Sequence, residues 1–191
     1  YASSWIKFHE PAAFCAALLN AQPMGFWSPH TLCQDARRHG VVVRSPDLNG
    51  SLAAATLEPC DDSVGGVAVR LGIGSVRGIG ADLAKEIEAG RPYTSVEHLV
   101  RCVPQLSQTQ LEAMATAGAF TECFDSDRRT ALWEVGAAVQ FRPDRLQGIV
   151  TGIVAPQLPG MDEVETAVAD LWATGVAPTG RRVEIPLVAI A

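Results

Sequence analysis

Residues 75–87 read SVRGIGADLAKEI, a glycine–isoleucine–glycine turn followed by a run of helix-forming residues. Gly78 and Gly80 permit backbone torsions and a close approach that a Cβ atom would obstruct. Ala84 and Ile87 follow at the spacing of one helix face, where a small residue lets a second helix lie close. The stretch therefore predicts two packed helices that are joined by a short glycine turn.

This spacing resembles the helix-hairpin-helix motif, which holds DNA through its phosphate backbone. Ile79 is expected to anchor the turn in the core. The amides of residues 80–82 begin a new helix, where unpaired N–H groups and the positive end of the dipole favour a phosphate. Contacts to the backbone carry no base information, so such binding is insensitive to sequence. The predicted DNA-binding residues are Arg77, Gly78, Ile79, Gly80, Ala81 and Lys85.

A structural alternative stays open at this point, in which the two glycines only turn the chain between packed helices. Residues 70–101 carry five basic and four acidic side chains, so a phosphate contact there is expected to be weak.

Two kinds of nucleotide-binding loop are excluded by the spacing of the glycines. Residues 72–78 form G-x-G-x-x-x-G, one residue too long for a dinucleotide fingerprint, and the chain lacks G-x-x-x-x-G-K-[ST].

The composition of the 191-residue chain is that of a globular protein of one or two domains, with 48% hydrophobic and 19% charged residues. Fifteen Lys and Arg against 21 Asp and Glu give a formal charge of -6. This charge excludes electrostatic binding of nucleic acid over the whole protein surface, so any contact with DNA must be local. Aromatic residues make up only 6%, while Ala and Gly abound, and this favours helices that pack through small residues.

The residue types of catalytic and metal sites are present but not arranged in known patterns. Five widely spaced cysteines form no C-x-x-C pair and are interpreted as reduced thiols, and the four histidines have no neighbouring ligand. The sequence contains no nucleophile elbow for Ser/His/Asp catalysis. We therefore predict no catalytic residue and no metal ligand. The basic stretches 37–39 and 127–129 are interpreted as solvated helix ends, with a domain-interface role as the alternative for the second.

The chain shows no apolar run near the ~20 residues of a membrane span and no signal peptide. We predict a cytoplasmic protein without a membrane partner. Because the chain begins at Tyr1, we also expect it to be a piece of something longer.

Local signals predict a mainly α fold with a few short strands and no repeat of fixed period. Pro11 interrupts the first helical stretch, Gly40 ends the second, and Ser95 and Ser107 cap two later helices. Helices are predicted at residues 3–20 with the break at Pro11, and at 29–39, 81–89, 96–102, 108–117, 127–140 and 162–172. Strands are predicted near residues 41–43, 53–57, 66–71 and 183–189.

Several ordered motifs together resemble the alpha subunits of bacterial C-family replicative DNA polymerases. Residues 9–20 read HEPAAFCAALLN, residues 35–41 read DARRHGV, and the match continues through LEAMATAGAF at residues 111–120. QPMGF at residues 22–26 and ADLWATGV at residues 169–176 resemble most the error-prone, damage-inducible branch. Glu10 stands where the family usually has an aromatic residue, and the sequence beyond Pro178 departs from the family pattern.

This resemblance implies three regions and a function. Residues 1–40 would form the helical end of the fingers, residues 41–141 the helix-hairpin-helix DNA-binding region, and residues 142–191 a Pro/Gly-rich linker with a truncated C-terminal segment. The chain would grip duplex primer-template DNA in a polymerase for damage-induced, translesion synthesis. The palm with its metal-binding aspartates lies upstream of Tyr1 in the family, so Mg²⁺, the sliding clamp and mutagenesis accessory proteins belong to the parent protein. The alternative is a non-catalytic helical scaffold or decayed remnant with little DNA affinity.

Two expectations concern the C-terminal part of the chain. The core is expected to end near Phe141, and the residues after Pro178 are expected to be poorly packed because a lone strand lacks partners. The predicted helix at 162–172 has four apolar residues at helical spacing and is expected to dock through them. These residues are Val164, Val168, Leu171 and Trp172.

Overall fold

A computed structural model describes residues 1–138 and 158–178 of the chain. Within these ranges the fold is mostly helical with one small sheet, which confirms the predicted class. Of the predicted linker and C-terminal segment at 142–191, residues 142–157 and 179–191 lie outside the described residues, and with them the predicted strand at 183–189. The helices are α1 (Ala2–His9), α2 (Pro11–Asn20), α3 (Pro29–Arg38), α4 (Ala81–Ala89), α5 (Val96–Cys102), α6 (Gln108–Thr116), α7 (Thr121–Phe124), α8 (Arg128–Ala138) and α9 (Glu163–Thr174). The strands are β1 (Val43–Arg44), β2 (Thr56–Pro59) and β3 (Val67–Arg70).

The helix boundaries follow the local signals in the sequence. The break between α1 and α2 falls at Glu10, and Pro11 occupies the first turn of α2, where it needs no N–H partner. Ser28 caps α3 by accepting a hydrogen bond from the Thr31 amide at 3.2 Å. The chain leaves α3 through Gly40, whose φ of +81° lies in the left-handed region that suits glycine. The predicted break at Pro11 and the predicted helix end at Gly40 are therefore confirmed.

The three strands form a mixed sheet in the order β1-β3-β2. Strand β3 pairs in parallel with β1, with Val43 opposite Val69, and antiparallel with β2, with Leu57 opposite Val69. The strands at 41–43 and 53–57 are shifted toward the C-terminus relative to their predicted positions. One reason is that Ala53 is engaged elsewhere, since its carbonyl oxygen accepts a hydrogen bond from the Gly74 amide at 3.0 Å.

Two apolar clusters form the core. The larger one lies among α4, α5, α6 and α8 and includes Leu99 and Phe120, while the smaller one packs α2 and α3 against the sheet. Helix α9 and the residues just after it reach both clusters, because Ala173 is buried in the first and Val176 in the second. The prediction that the core ends near Phe141 is therefore wrong.

The buried face of α9 differs from the predicted one. The four apolar residues expected to dock are all more than a third exposed, and Val168 reaches 60%. The residues buried on α9 are Ala167, Asp170 and Ala173. Helix α9 packs on α6, whose buried residues include alanines, and short side chains on both helices allow this close approach.

An ion pair fixes α9 to the start of α8. Arg128 lies 2.7 Å from the carboxylate of Asp170, and Asp170 is only 1% exposed. Its neighbour Arg129 pairs with Glu165 at 2.9 Å on the surface. The interpretation of residues 127–129 as a solvated helix end is therefore wrong for Arg128, and the alternative, a contact between parts of the fold, holds. Arg37 likewise donates a hydrogen bond to the carbonyl oxygen of Ala177 at 3.3 Å.

Among the helices in the described ranges, none combines the length and the apolar character that crossing a bilayer requires.

Candidate nucleic-acid interface

The glycine–isoleucine–glycine turn forms a tight hairpin ahead of α4. A short 3-10 turn (Ile73–Ser75) leads into it, and the amide of Ile79 donates to the carbonyl oxygen of Val76 at 3.0 Å. Ile79 is 5% exposed and points into the larger core cluster, which confirms its predicted anchoring role. Ala84 and Ile87 are fully buried beneath the turn. A Cβ atom added at Gly74 would lie 3.6 Å from the Ala84 side chain, which explains the small residue at position 84.

The two glycines of the turn have different roles. Gly78 has a φ of +79°, a conformation that favours glycine. Gly80 has a φ of -78° and a ψ of 168°, which any residue can adopt. The expectation that Gly80 serves a special torsion is therefore wrong. A Cβ atom added at Gly80 would meet no heavy atom within 4 Å, so the space above it is open.

The N-terminus of α4 is accessible to an external group. Gly80 occupies its N-cap position, and no side chain caps the amides of the first turn. A helix start of this kind offers N–H donors and a positive dipole end to an anion. Asp82 lies in the same first turn and opposes a phosphate there.

The structure places the six sequence-predicted residues around this one turn. Ile79 is buried, so its side chain supports the turn and cannot reach a ligand. The exposed residues are Arg77, Gly78, Gly80, Ala81 and Lys85. Their contact with DNA stays a prediction.

Arg77 and Lys85 differ from most other cations of the described ranges, which pair with carboxylates. Neither Arg77 nor Lys85 forms an ion pair with a carboxylate of the described ranges, whereas Arg70 is buried between Glu58 and Glu122. The other basic residues with a carboxylate partner are Lys7, Arg44, Arg91, Arg128 and Arg129. Arg77 lies just before α4 and Lys85 lies within it, so two cations without a carboxylate partner in the described ranges flank the start of this helix.

A second hairpin, closed by the same kind of main-chain hydrogen bond, joins α5 to α6 and is absent from the sequence-based predictions. The amide of Leu106 donates to the carbonyl oxygen of Val103 at 3.2 Å, as Ile79 does to Val76 in the first hairpin. Four buried residues of the second hairpin each follow their counterpart by 27 positions. The pairs are Val76 with Val103, Ile79 with Leu106, Ala84 with Leu111, and Ile87 with Met114. This 27-residue spacing of apolar residues is the signal in the sequence that points to the second hairpin.

The second hairpin lacks the features that would suit a phosphate. Gln105, Ser107 and Glu112 stand at the positions of Gly78, Gly80 and Lys85. Ser107 accepts from the Gln110 amide at 3.2 Å, and the Gln110 side chain accepts from the Ser107 amide at 2.8 Å, so α6 caps itself. Gln110 also donates to the carbonyl oxygen of Gly78 at 2.7 Å and thereby joins the two hairpins. Of the two, only the first hairpin keeps an open helix N-terminus.

Comparisons with known proteins agree with the motifs read from the sequence. A family model described as "Helix-hairpin-helix motif" matches residues 40–131, the range that contains both hairpins. The chain is 57% identical over 180 residues to the "Error-prone DNA polymerase" of Mycolicibacterium paratuberculosis, a match that covers 92% of this chain. It is 56% identical to the protein of the same name from Mycobacterium bovis and 52% identical to that of Nocardia farcinica, again over 92% of this chain. The chain spans 16% of the length of these relatives. The resemblance drawn from the motifs is thereby confirmed.

Proposed function

We propose that this chain, which is homologous to a segment of the bacterial error-prone DNA polymerases, holds duplex DNA through backbone phosphates at the first hairpin. The observation that carries the proposal is the open N-terminus of α4, flanked by Arg77 and Lys85, neither of which pairs with a carboxylate of the described ranges. Backbone amides would bind a phosphate oxygen, and the two cations would contact the same or adjacent phosphates. One hairpin reaches about two to four phosphates, so binding is expected to be weak and independent of sequence.

We extend the proposal to the activity of a full-length protein that would contain this segment. In a full-length polymerase of this kind, this segment would hold primer-template DNA behind the palm during damage-induced, translesion synthesis. The palm would supply Mg²⁺-dependent nucleotidyl transfer, with the sliding clamp and mutagenesis accessory proteins as partners in the cytoplasm. Within residues 1–138 and 158–178, no three potential metal ligands come together, so no magnesium site and no catalytic step are assigned to them.

Lys85→Glu is expected to weaken binding of the 191-residue chain to a short fluorescent duplex by about tenfold at low salt, because one charge-assisted phosphate contact is lost. The slope of log K against log salt should also fall by about 1. Arg38→Glu is the matched control. It changes the net charge equally at an exposed residue of α3, away from the hairpin, and should have a much smaller effect. Equal losses for the two variants would show that overall charge, rather than the hairpin, governs binding.

Gly80→Val tests the backbone contact itself. The φ of Gly80 suits valine and the space above it is open, so the unfolding free energy should change by no more than about 1 kcal/mol, the scale of an N-cap substitution. The branched side chain would cover the first amides of α4, and duplex affinity should fall by at least about tenfold. Anisotropy titration and urea denaturation measure the two quantities. Unchanged affinity in a folded variant would contradict the proposed phosphate site.

The second candidate function is a helical scaffold with little DNA affinity. The formal charge of -6 and the pairing of most cations within the described ranges favour it. Under this alternative, titrations at low salt show no duplex binding for the wild-type chain, whereas the proposed function requires binding that weakens as salt rises.

A further inference from the structure

We infer that Trp172 is a positioning residue that holds the Arg77 side chain ready for a phosphate. The inference rests on the proposed function and deepens it, because it adds a residue of α9 to the DNA-binding hairpin. Helix α9 lies outside the residues matched by the helix-hairpin-helix family model. The sequence analysis assigned Trp172 to a buried docking face and gave it no part in binding.

Two consecutive residues of α9 hold Arg77 from both its main chain and its side chain. The Arg77 amide donates to the carbonyl oxygen of Ala173 at 2.7 Å. The guanidinium carbon of Arg77 lies 5.0 Å from the centre of the Trp172 ring, within the range of a cation–π contact. The Arg77 side chain is therefore in cation–π contact with an aromatic ring although it is exposed to solvent.

A cation–π contact of this kind suits phosphate recognition. When a guanidinium turns its flat face to a ring, its N–H donors point outward in the plane of the group. These donors can then bind phosphate oxygens in a bidentate manner. Arginine otherwise loses much rotamer freedom when it binds, and the ring restricts that freedom beforehand.

Trp172 has little to contribute to the core, which favours this role. Its side chain is 45% exposed, and the burial of α9 is achieved by Ala167, Asp170 and Ala173 instead. The helix itself is fixed, because Arg128 pairs with the buried carboxylate of Asp170 two residues before the ring. Trp172 thus extends from an anchored helix toward the hairpin, where its ring contacts the guanidinium of Arg77.

The test is a double-mutant cycle on the full chain, with duplex affinity measured as a function of salt. Trp172→Ala should weaken binding by about two- to fivefold, the scale of an exposed cation–π contact, while Trp172→Phe should retain most of the affinity. Arg77→Ala should weaken binding further and lower the salt slope by about 1. In the Arg77→Ala background, Trp172→Ala should have no additional effect. Val168→Ala, another exposed apolar residue of α9, is the control and should bind as the wild type does.

The outcomes separate this inference from the proposed function. If Arg77→Ala and Gly80→Val both leave affinity and salt slope unchanged, the proposed phosphate site is overturned. If Arg77→Ala weakens binding but Trp172→Ala does not, only the positioning role is overturned. An additive loss in the double variant would also overturn it, because Trp172 would then act through its own contact with DNA or through general stability.

Discussion

Arg128→Ala is expected to destabilise the protein by about 3–5 kcal/mol, because it breaks the ion pair to the buried carboxylate of Asp170. Asp170 is 1% exposed and lies 2.7 Å from the Arg128 guanidinium. Arg128 also donates to the carbonyl oxygen of Thr166 at 3.4 Å and lies against Gly118, where an added Cβ would come within 3.0 Å of it. The substitution therefore removes both the ion pair to Asp170 and the packing of the Arg128 side chain against Gly118. Urea denaturation of the 191-residue chain at neutral pH measures the effect.

The matched control for this prediction is the next residue in the sequence. Arg129→Ala removes an ion pair to Glu165 in which both side chains are substantially exposed to water. Exposed pairs contribute little, so the expected loss is below about 1 kcal/mol. If the two variants lose similar stability, the Arg128–Asp170 pair does not anchor α9 as the structure indicates. Because α9 carries Trp172, we also expect Arg128→Ala to weaken duplex binding even under conditions where the chain stays folded.

Gly72→Ala is expected to destabilise the protein by about 3 kcal/mol, through a clash with main-chain atoms that cannot rotate away. A Cβ atom at Gly72 would lie 2.4 Å from the carbonyl carbon of Ala54 and 2.5 Å from the carbonyl oxygen of Ala53. The main chain of residues 52–54 is held against this segment, since the amides of Ile73 and Gly74 donate to the carbonyl oxygens of Leu52 and Ala53. The clash could be relieved only by separating these two segments. The unfolding free energy from denaturant titration is the direct measurement.

A glycine-to-alanine substitution at another position should stabilise the protein instead of destabilising it. Gly136 lies within α8, is exposed, and has no heavy atom within 4 Å of an added Cβ. Gly136→Ala should therefore stabilise the protein by about 0.5–1 kcal/mol, because alanine loses less backbone entropy in a helix. A loss at Gly72 no larger than the ordinary effect of a surface substitution would mean that the two segments can separate at little cost.

The sequence by itself determined those features that depend on close neighbours along the chain. Pro11, Ser95 and Ser107 mark helix starts correctly, because each acts on amides within a few residues of itself. The hairpin before α4 was predicted from its glycines and from the spacing of Ala84 and Ile87 for the same reason. Ordered motifs also sufficed to recognise the polymerase family, since a family resemblance is a property of the sequence alone.

The tertiary structure decided which surfaces meet and which stay open. The apolar spacing on α9 pointed to one face, but the small residues of another face allow close approach to α6, and Asp170 on that face meets Arg128. The contact between the two hairpins, in which Gln110 donates to the carbonyl oxygen of Gly78, is set by the tertiary structure. The open space above Gly80 and the ring under Arg77 depend on residues far away along the chain. Which face of a helix is buried depends on the shape and charge of the surface that packs against it. The residue pattern of that helix alone gives no information about this opposing surface.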